Sequence, residues 1–175
     1  FVVARAPTPP VIDGRVDVDE WSAASVIEDF HQVEPIEFAA PSERTRVYVM
    51  IDADTLYVAA RMWDSEPEGI AARSLRQGEE LNDDDVFGVA LDTFNDRRSG
   101  YWFSVNANGV RRQAIFQNTT TRNFDWRGIW HTRSSRDSEG WVTEIAIPVK
   151  TLTFNPASDT WGINFRRKIE RRQEF

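Results

Sequence analysis

At 175 residues the chain can close one sizeable hydrophobic core, while two independent domains would be cramped. Apolar residues make up 41% and charged residues 28%, which excludes the polar, aromatic-poor profile of a disordered segment. The formal net charge of -7 repels phosphate backbones and so argues against nucleic acid as a partner, and the lack of cysteine excludes disulfides, thiolate metal sites and a cysteine nucleophile.

Residues 1–10, stiffened by Pro7, Pro9 and Pro10, read as an N-terminal extension, and a single domain is expected from Val11 to Phe175. Val11-Ile12-Asp13-Gly14 reads as a short strand ending in a turn, with Asp-Gly supplying the positive-φ position. The acidic run Asp17 to Glu20 favours a brief helix that buries Trp21. From Arg44 the period becomes two: Val47, Val49 and Ile51 alternate with Arg46, Tyr48 and Met50, and residues 44–63 read as a β-hairpin turning at Ala53-Asp54-Thr55. Pro67 to Gln77 reads as a helical turn or loop.

A second hairpin is expected from Asp85–Leu91 and Tyr101–Asn106, with Phe87, Val89 and Leu91 facing Tyr101, Phe103 and Val105 in one apolar layer. Val110–Phe116 returns as a strand after the turn Asn106-Ala107-Asn108-Gly109. Past a polar loop from Gln117 to Asp125, strands are expected at Gly128–Arg133, Gly140–Ile147 and Trp161–Ile169, with Leu152 and Phe154 covering an open end of the core. About nine short strands spaced by turn signals predict an all-β fold, an antiparallel β-sandwich of jelly-roll type with one or two short helices. No apolar run approaches the roughly 20 residues that cross a bilayer, so this domain is not expected to span a membrane. The abrupt ends at Phe1 and Phe175 suggest a piece of something longer.

Seven tryptophans bear on function, because the C–H face of a pyranose packs on an indole ring. Trp21, Trp141 and Trp161 lie on apolar faces and are expected in the core. Trp63 and Trp102 fall on the opposite face from their apolar neighbours, and Trp126 and Trp130 sit in or beside a polar loop; for these four, ligand contact and second-face packing are both open. Asp83, Asp84 and Asp85 alternate sides on an extended stretch and do not form the fixed pair that glycoside hydrolysis needs. They, or Asp92, Asn95 and Asp96, could hold a structural calcium through oxygen, although no EF-hand spacing occurs. His31 and His131 have no partner motif, and no P-loop, dinucleotide fingerprint or nucleophile elbow is present. No catalytic constellation is found, so no enzyme is expected. The basic cluster Arg166, Arg167, Lys168, Arg171 and Arg172 would spread over both faces of a strand, where solvated or inter-strand salt-bridge roles are expected.

Val11-Ile12-Asp13-Gly14, Asp19-Glu20-Trp21, Leu56-Tyr57-Val58, Asp84-Asp85-Val86, Leu91-Asp92, Phe103-Ser104-Val105-Asn106, Gly140-Trp141 with Glu144 and Ile147-Pro148, and Trp161-Gly162-Ile163-Asn164-Phe165 together resemble carbohydrate-binding module family nine. The likeness is especially to the variant at the N-terminus of bacterial outer-membrane proteins in which a β-barrel region follows. The resemblance implies a jelly-roll-like sandwich, calcium in some members, and recognition of sugar chain ends between two tryptophans, with an acidic residue, an arginine and asparagines for the hydroxyls. By position only the asparagine is kept, as Asn106; Gly88 stands where the acidic residue would be and Ser104 where the arginine would be. The expected ligand residues are therefore Trp63, Trp102, Asn106, Trp126 and Trp130, and the expected partner is a carbohydrate. The alternative is a docking domain for a C-terminal membrane barrel of its own parent chain. The resemblance implies the periplasmic or cell-surface side of a bacterial outer membrane.

Overall fold

Strands whose side chains alternate between large apolar and polar must bury one face, and two such sheets bury each other. The computed structural model describes residues 1–118 and 120–175 and realises this as two sheets. The strands are β1 (Ala4–Arg5), β2 (Ser25–Ile27), β3 (Thr45–Ile51), β4 (Thr55–Trp63), β5 (Val86–Asp92), β6 (Gly100–Asn106), β7 (Arg111–Gln117), β8 (Thr121–Asn123), β9 (His131–Asp137), β10 (Gly140–Pro148) and β11 (Gly162–Lys168). Sheet one runs β1-β3-β4-β10-β9, with β2 also pairing β3, and sheet two runs β11-β5-β6-β7-β8. Helical structure among the described residues is one short helix, α1 (Val18–Trp21), and three single 3-10 turns.

The expected hairpins are present. Val47 faces Ala60 and Val49 faces Val58 across β3 and β4, while Phe87, Val89 and Leu91 face Val105, Phe103 and Tyr101 across β5 and β6. These side chains, with Trp141, Ile145 and Ile147 of β10, fill the space between the sheets. Each buried valine, leucine, isoleucine and phenylalanine among them contributes roughly 1.5–3 kcal/mol by leaving water.

The differences lie at the edges. Val11-Ile12 is not a strand, whereas Ala4-Arg5, expected outside the domain, pairs in parallel with Met50-Ile51. β2 and β8 have too few residues to show a period. The strand expected at Gly128–Arg133 starts instead at His131, and Trp130 turns inward ahead of it.

Sheet one is covered on its outer side as well. Trp21 packs there on Met50, Tyr57, Ala59 and Ala146. Its indole N–H donates to Glu144 Oε1 at 3.0 Å, and Glu144 Oε2 accepts from the backbone N–H groups of Asp13, Gly14 and Arg15 at 2.9, 2.7 and 3.2 Å. A carboxylate fully buried on β10 thus fastens the N-terminal turn and α1 to the sheet. Burial pushes its carboxyl above the usual range, and the converging donors only partly offset that. The outer face of sheet two carries the candidate site.

Candidate functional site

The floor of the site follows from strand register. Arg166 of β11, Gly88 of β5, Ser104 of β6 and Arg112 of β7 form one row across sheet two, and Asn164, Ala90, Trp102 and Ala114 form the next row on that face. Because side chains alternate, these residues point away from the core that holds Phe87, Val89 and Phe103. Glycine, alanine and serine leave the middle of the face low. Trp102 fills that space: a Cβ built on Gly88 would stand 2.2 Å from Trp102 Cη2 and 2.3 Å from Cζ2. The six-membered ring therefore covers the glycine in direct contact with the backbone.

Around this ring lies a cleft of about 380 Å³, walled by Phe124, Phe175, Arg112, Arg122, Arg166 and Lys168. A second depression of about 210 Å³ reaches Asn164 and shares Trp102, Arg122 and Arg166 with the first. The two form a trough crossing the sheet on either side of the indole.

The basic side chains are held on aromatic faces. The guanidinium of Arg112 sits 3.7 Å from the Phe124 ring centre, that of Arg166 4.0 Å from Phe175, and that of Arg122 5.6 Å from Trp102. Arg112 also donates to Glu80 Oε1 at 3.3 Å. Lys168 pairs with Glu170 and donates to the Asn82 carbonyl. Partial burial, and then the nearby Arg122, lower the pKa of Arg166 while Glu34 opposes them. An apolar platform flanked by fixed donors suits a polar ring-shaped ligand.

The sequence model described as carbohydrate family 9 binding domain-like matches residues 12–170. The chain belongs to this family. Similar folds include a family 9 module from Caldicellulosiruptor kristjanssonii in complex with glucose (22% identity, TM-score 0.65, covering 95% of this chain and 76% of that one). The same organism's module in complex with cellotriose is similar too (20%, TM-score 0.66, 99% and 80%), as is a protein of Bacteroides uniformis (11%, TM-score 0.71, 98% and 84%). At these identities the likeness establishes the sandwich fold. No curated protein matches the chain. Carbohydrate-binding module families are non-catalytic, and so is this family 9 domain.

Of the residues expected to meet a ligand, the family 9 scaffold brings only Trp102 into the trough. Asn106 is fully buried: its amide donates to Asp84 Oδ2 at 2.8 Å and the Ser74 carbonyl at 3.1 Å, and its Oδ1 accepts from the N–H groups of Asn108 and Val110 at 3.0 and 2.8 Å. With its polar capacity filled, it organises the turn after β6. Trp130 is 1% exposed, edge-on to Phe103 at 5.2 Å with its N–H donated to Gln113 Oε1 at 3.2 Å. Trp126 is half-buried against Tyr101 and Phe103, at 5.0 and 5.9 Å, closing an end of the core. Trp63 lies on the outer side of sheet one, stacked by Arg44, Arg46 and Arg61 at 4.4, 6.0 and 5.5 Å. The indoles do not converge.

Sequence reasoning missed Arg112, Arg122, Phe124 and Phe175 as companions of Trp102, and it left Arg166 and Lys168 as part of a solvated cluster. The signal was present in the run of small residues at outward positions, Gly88, Ala90 and Ser104. Gly88 and Ser104 are where the family resemblance expects an acidic residue and an arginine, so the departures from the pattern coincide with the floor of the trough.

The other candidates are structural. Asp84 is fully buried and accepts from the Arg73 N–H at 2.5 Å and from Asn106. Asp85 accepts from the N–H groups of Ala71 and Glu170 at 3.3 and 3.1 Å, and burial pushes its carboxyl upward. Asp92 accepts from the N–H groups of Asp96 and Arg97. Among the described residues no group of three or more His, Cys, Asp or Glu is placed to hold a metal ion. No helix among the described residues is long and apolar enough to cross a membrane.

Proposed function

We propose that the domain binds a saccharide in the sheet-two trough, with Trp102 as the stacking platform. The observation that carries this reading is the seating of Trp102 over Gly88 at the centre of the trough, which fixes an indole beside polar groups able to take hydroxyls. The glucose and cellotriose complexes of family 9 structures support the ligand class. Calorimetry against mono- and oligosaccharides tests it. Binding that is lost in Trp102→Ala and kept in Trp63→Ala is the expected result. No binding by any sugar at about millimolar concentration, some 4 kcal/mol of affinity, overturns it.

A second reading draws on the scatter of the indoles: Trp63 and Trp102 occupy opposite outer faces, which suits a domain that docks onto another part of a longer parent chain. With it goes a location on the periplasmic or cell-surface side of a bacterial outer membrane beside a barrel, supported by the sequence resemblance. Deleting residues 11–175 from such a parent, with assembly and transport unchanged, argues decisively against docking.

A further inference from the structure

We infer that the saccharide taken by the trough is acidic, its carboxylate or sulfate group shared by Arg122 and Arg166. This rests on the reading that the trough binds a saccharide at all.

The first ground is local charge. The chain carries a net charge of -7, yet the cleft is lined by Arg112, Arg122, Arg166 and Lys168 and by no aspartate or glutamate. The charge of the lining is therefore opposite in sign to that of the whole molecule, and low-dielectric walls strengthen the field of such charges inside a cleft.

The second ground is pairing. Arg112 has Glu80 and Lys168 has Glu170. Among the described residues neither Arg122 nor Arg166 has a carboxylate within ion-pair distance, although each is stacked on an aromatic face. The arginines stacked on Trp63 make the contrast: Arg44 and Arg46 pair with Glu28, and Arg61 with Asp137 and Glu139. On sheet one an arginine-indole cluster is neutralised by the protein itself, whereas on sheet two it is left positive.

The third ground is geometry. Arg122 and Arg166 line both halves of the trough, so they flank Trp102. A guanidinium held on a ring keeps its fork of N–H donors free, and that fork matches the two oxygens of a carboxylate or sulfate. A sugar ring against the indole, sharing its open face with Arg122, then brings its acidic substituent to the two unpaired cations. An extended polyanion does not fit this picture, because the rest of the surface repels it.

Calorimetry on the 175-residue chain tests the inference with trigalacturonate, a sulfated disaccharide, cellotriose and tripolyphosphate. At least one acidic sugar should bind about tenfold or more tightly than cellotriose at low salt, about 1.4 kcal/mol, with the advantage shrinking at high salt. Whichever acidic sugar binds more tightly identifies the anion. The double variant Arg122→Gln/Arg166→Gln should abolish the advantage, so that acidic sugars bind it no more tightly than cellotriose does. Both arginines are exposed, and matching thermal melts establish that the variant is folded. Cellotriose binding as tightly as both acidic sugars, or a preference that survives the double variant, overturns the acidic assignment alone. No binding by any sugar overturns the saccharide reading with it, as does tripolyphosphate binding as tightly as the acidic sugars and indifferent to Trp102→Ala.

Discussion

Gly88 and Trp102 are in contact without a side chain between them: the indole of one strand rests on the backbone of its neighbour, and a methyl group at Gly88 would have its carbon 2.2 Å from Trp102 Cη2. Gly88→Ala therefore cannot be accommodated with the ring in place. The indole is expected to lift, and saccharide binding to weaken about tenfold or more, since a small misplacement of an orienting group is costly. Calorimetry and tryptophan fluorescence on the folded variant read this out; unchanged affinity would separate the indole's seat from binding.

Trp21→Phe keeps most of the apolar contact on sheet one but removes the N–H donated to Glu144. Losing a hydrogen bond to a buried charged acceptor costs about 1–3 kcal/mol. Urea denaturation should show that loss, with saccharide affinity unaffected because Glu144 lies on the other sheet.

Glu144 also predicts a pH dependence. Burial raises its pKa in the folded protein above the ordinary carboxylate value. Between the ordinary value and the raised one, the native state holds a proton that the unfolded chain has released, so stability falls as pH rises through that window and levels off above it. Asp85, also raised by burial, acts in the same direction. In Glu144→Gln the slope should flatten, even though the amide presents N–H groups to backbone donors and lowers stability at every pH. Denaturation midpoints from about pH 4 to about pH 8 measure it, and equal slopes in both proteins would contradict it.

Asn106→Ala removes the partner of the buried Asp84 and of two backbone N–H groups. We expect a stability loss of about 1–3 kcal/mol or more from the unsatisfied groups, seen as a lower urea midpoint. Any change in sugar affinity should follow from the disturbed turn after β6, and an affinity loss with stability intact would restore Asn106 as a ligand residue.

The central strands were legible because they are long enough to display period two, as in Val47, Val49, Phe87 and Val89. β1 and β8 were not, because two or three residues carry no period and their pairing is decided by what the chain meets in space. The site divided along the same line. Trp102 was legible from its parity against Phe103, and Arg166 and Lys168 share one face of β11 while Arg167 turns inward to the Arg44 and Trp63 carbonyls. The inward packing of Trp130 and Trp126 was left open because their loop folds back over the core, which no local pattern encodes. Phe124 and Phe175 arrive from distant segments, so only the assembled sheet places them beside Trp102.

The lock at Glu144 makes the two outer surfaces unequal. On one, the first two dozen residues act as a shield over Met50, Tyr57, Ala59 and Ala146; peeled away, they would uncover a sticky patch of the kind that drives self-association. On the other surface the partly exposed rings of Trp102, Phe124 and Phe175 each carry a guanidinium close by, so charge is interleaved with the apolar area there. Damage to the beginning of the chain should therefore show itself first as aggregation, while the trough on the far side keeps its shape.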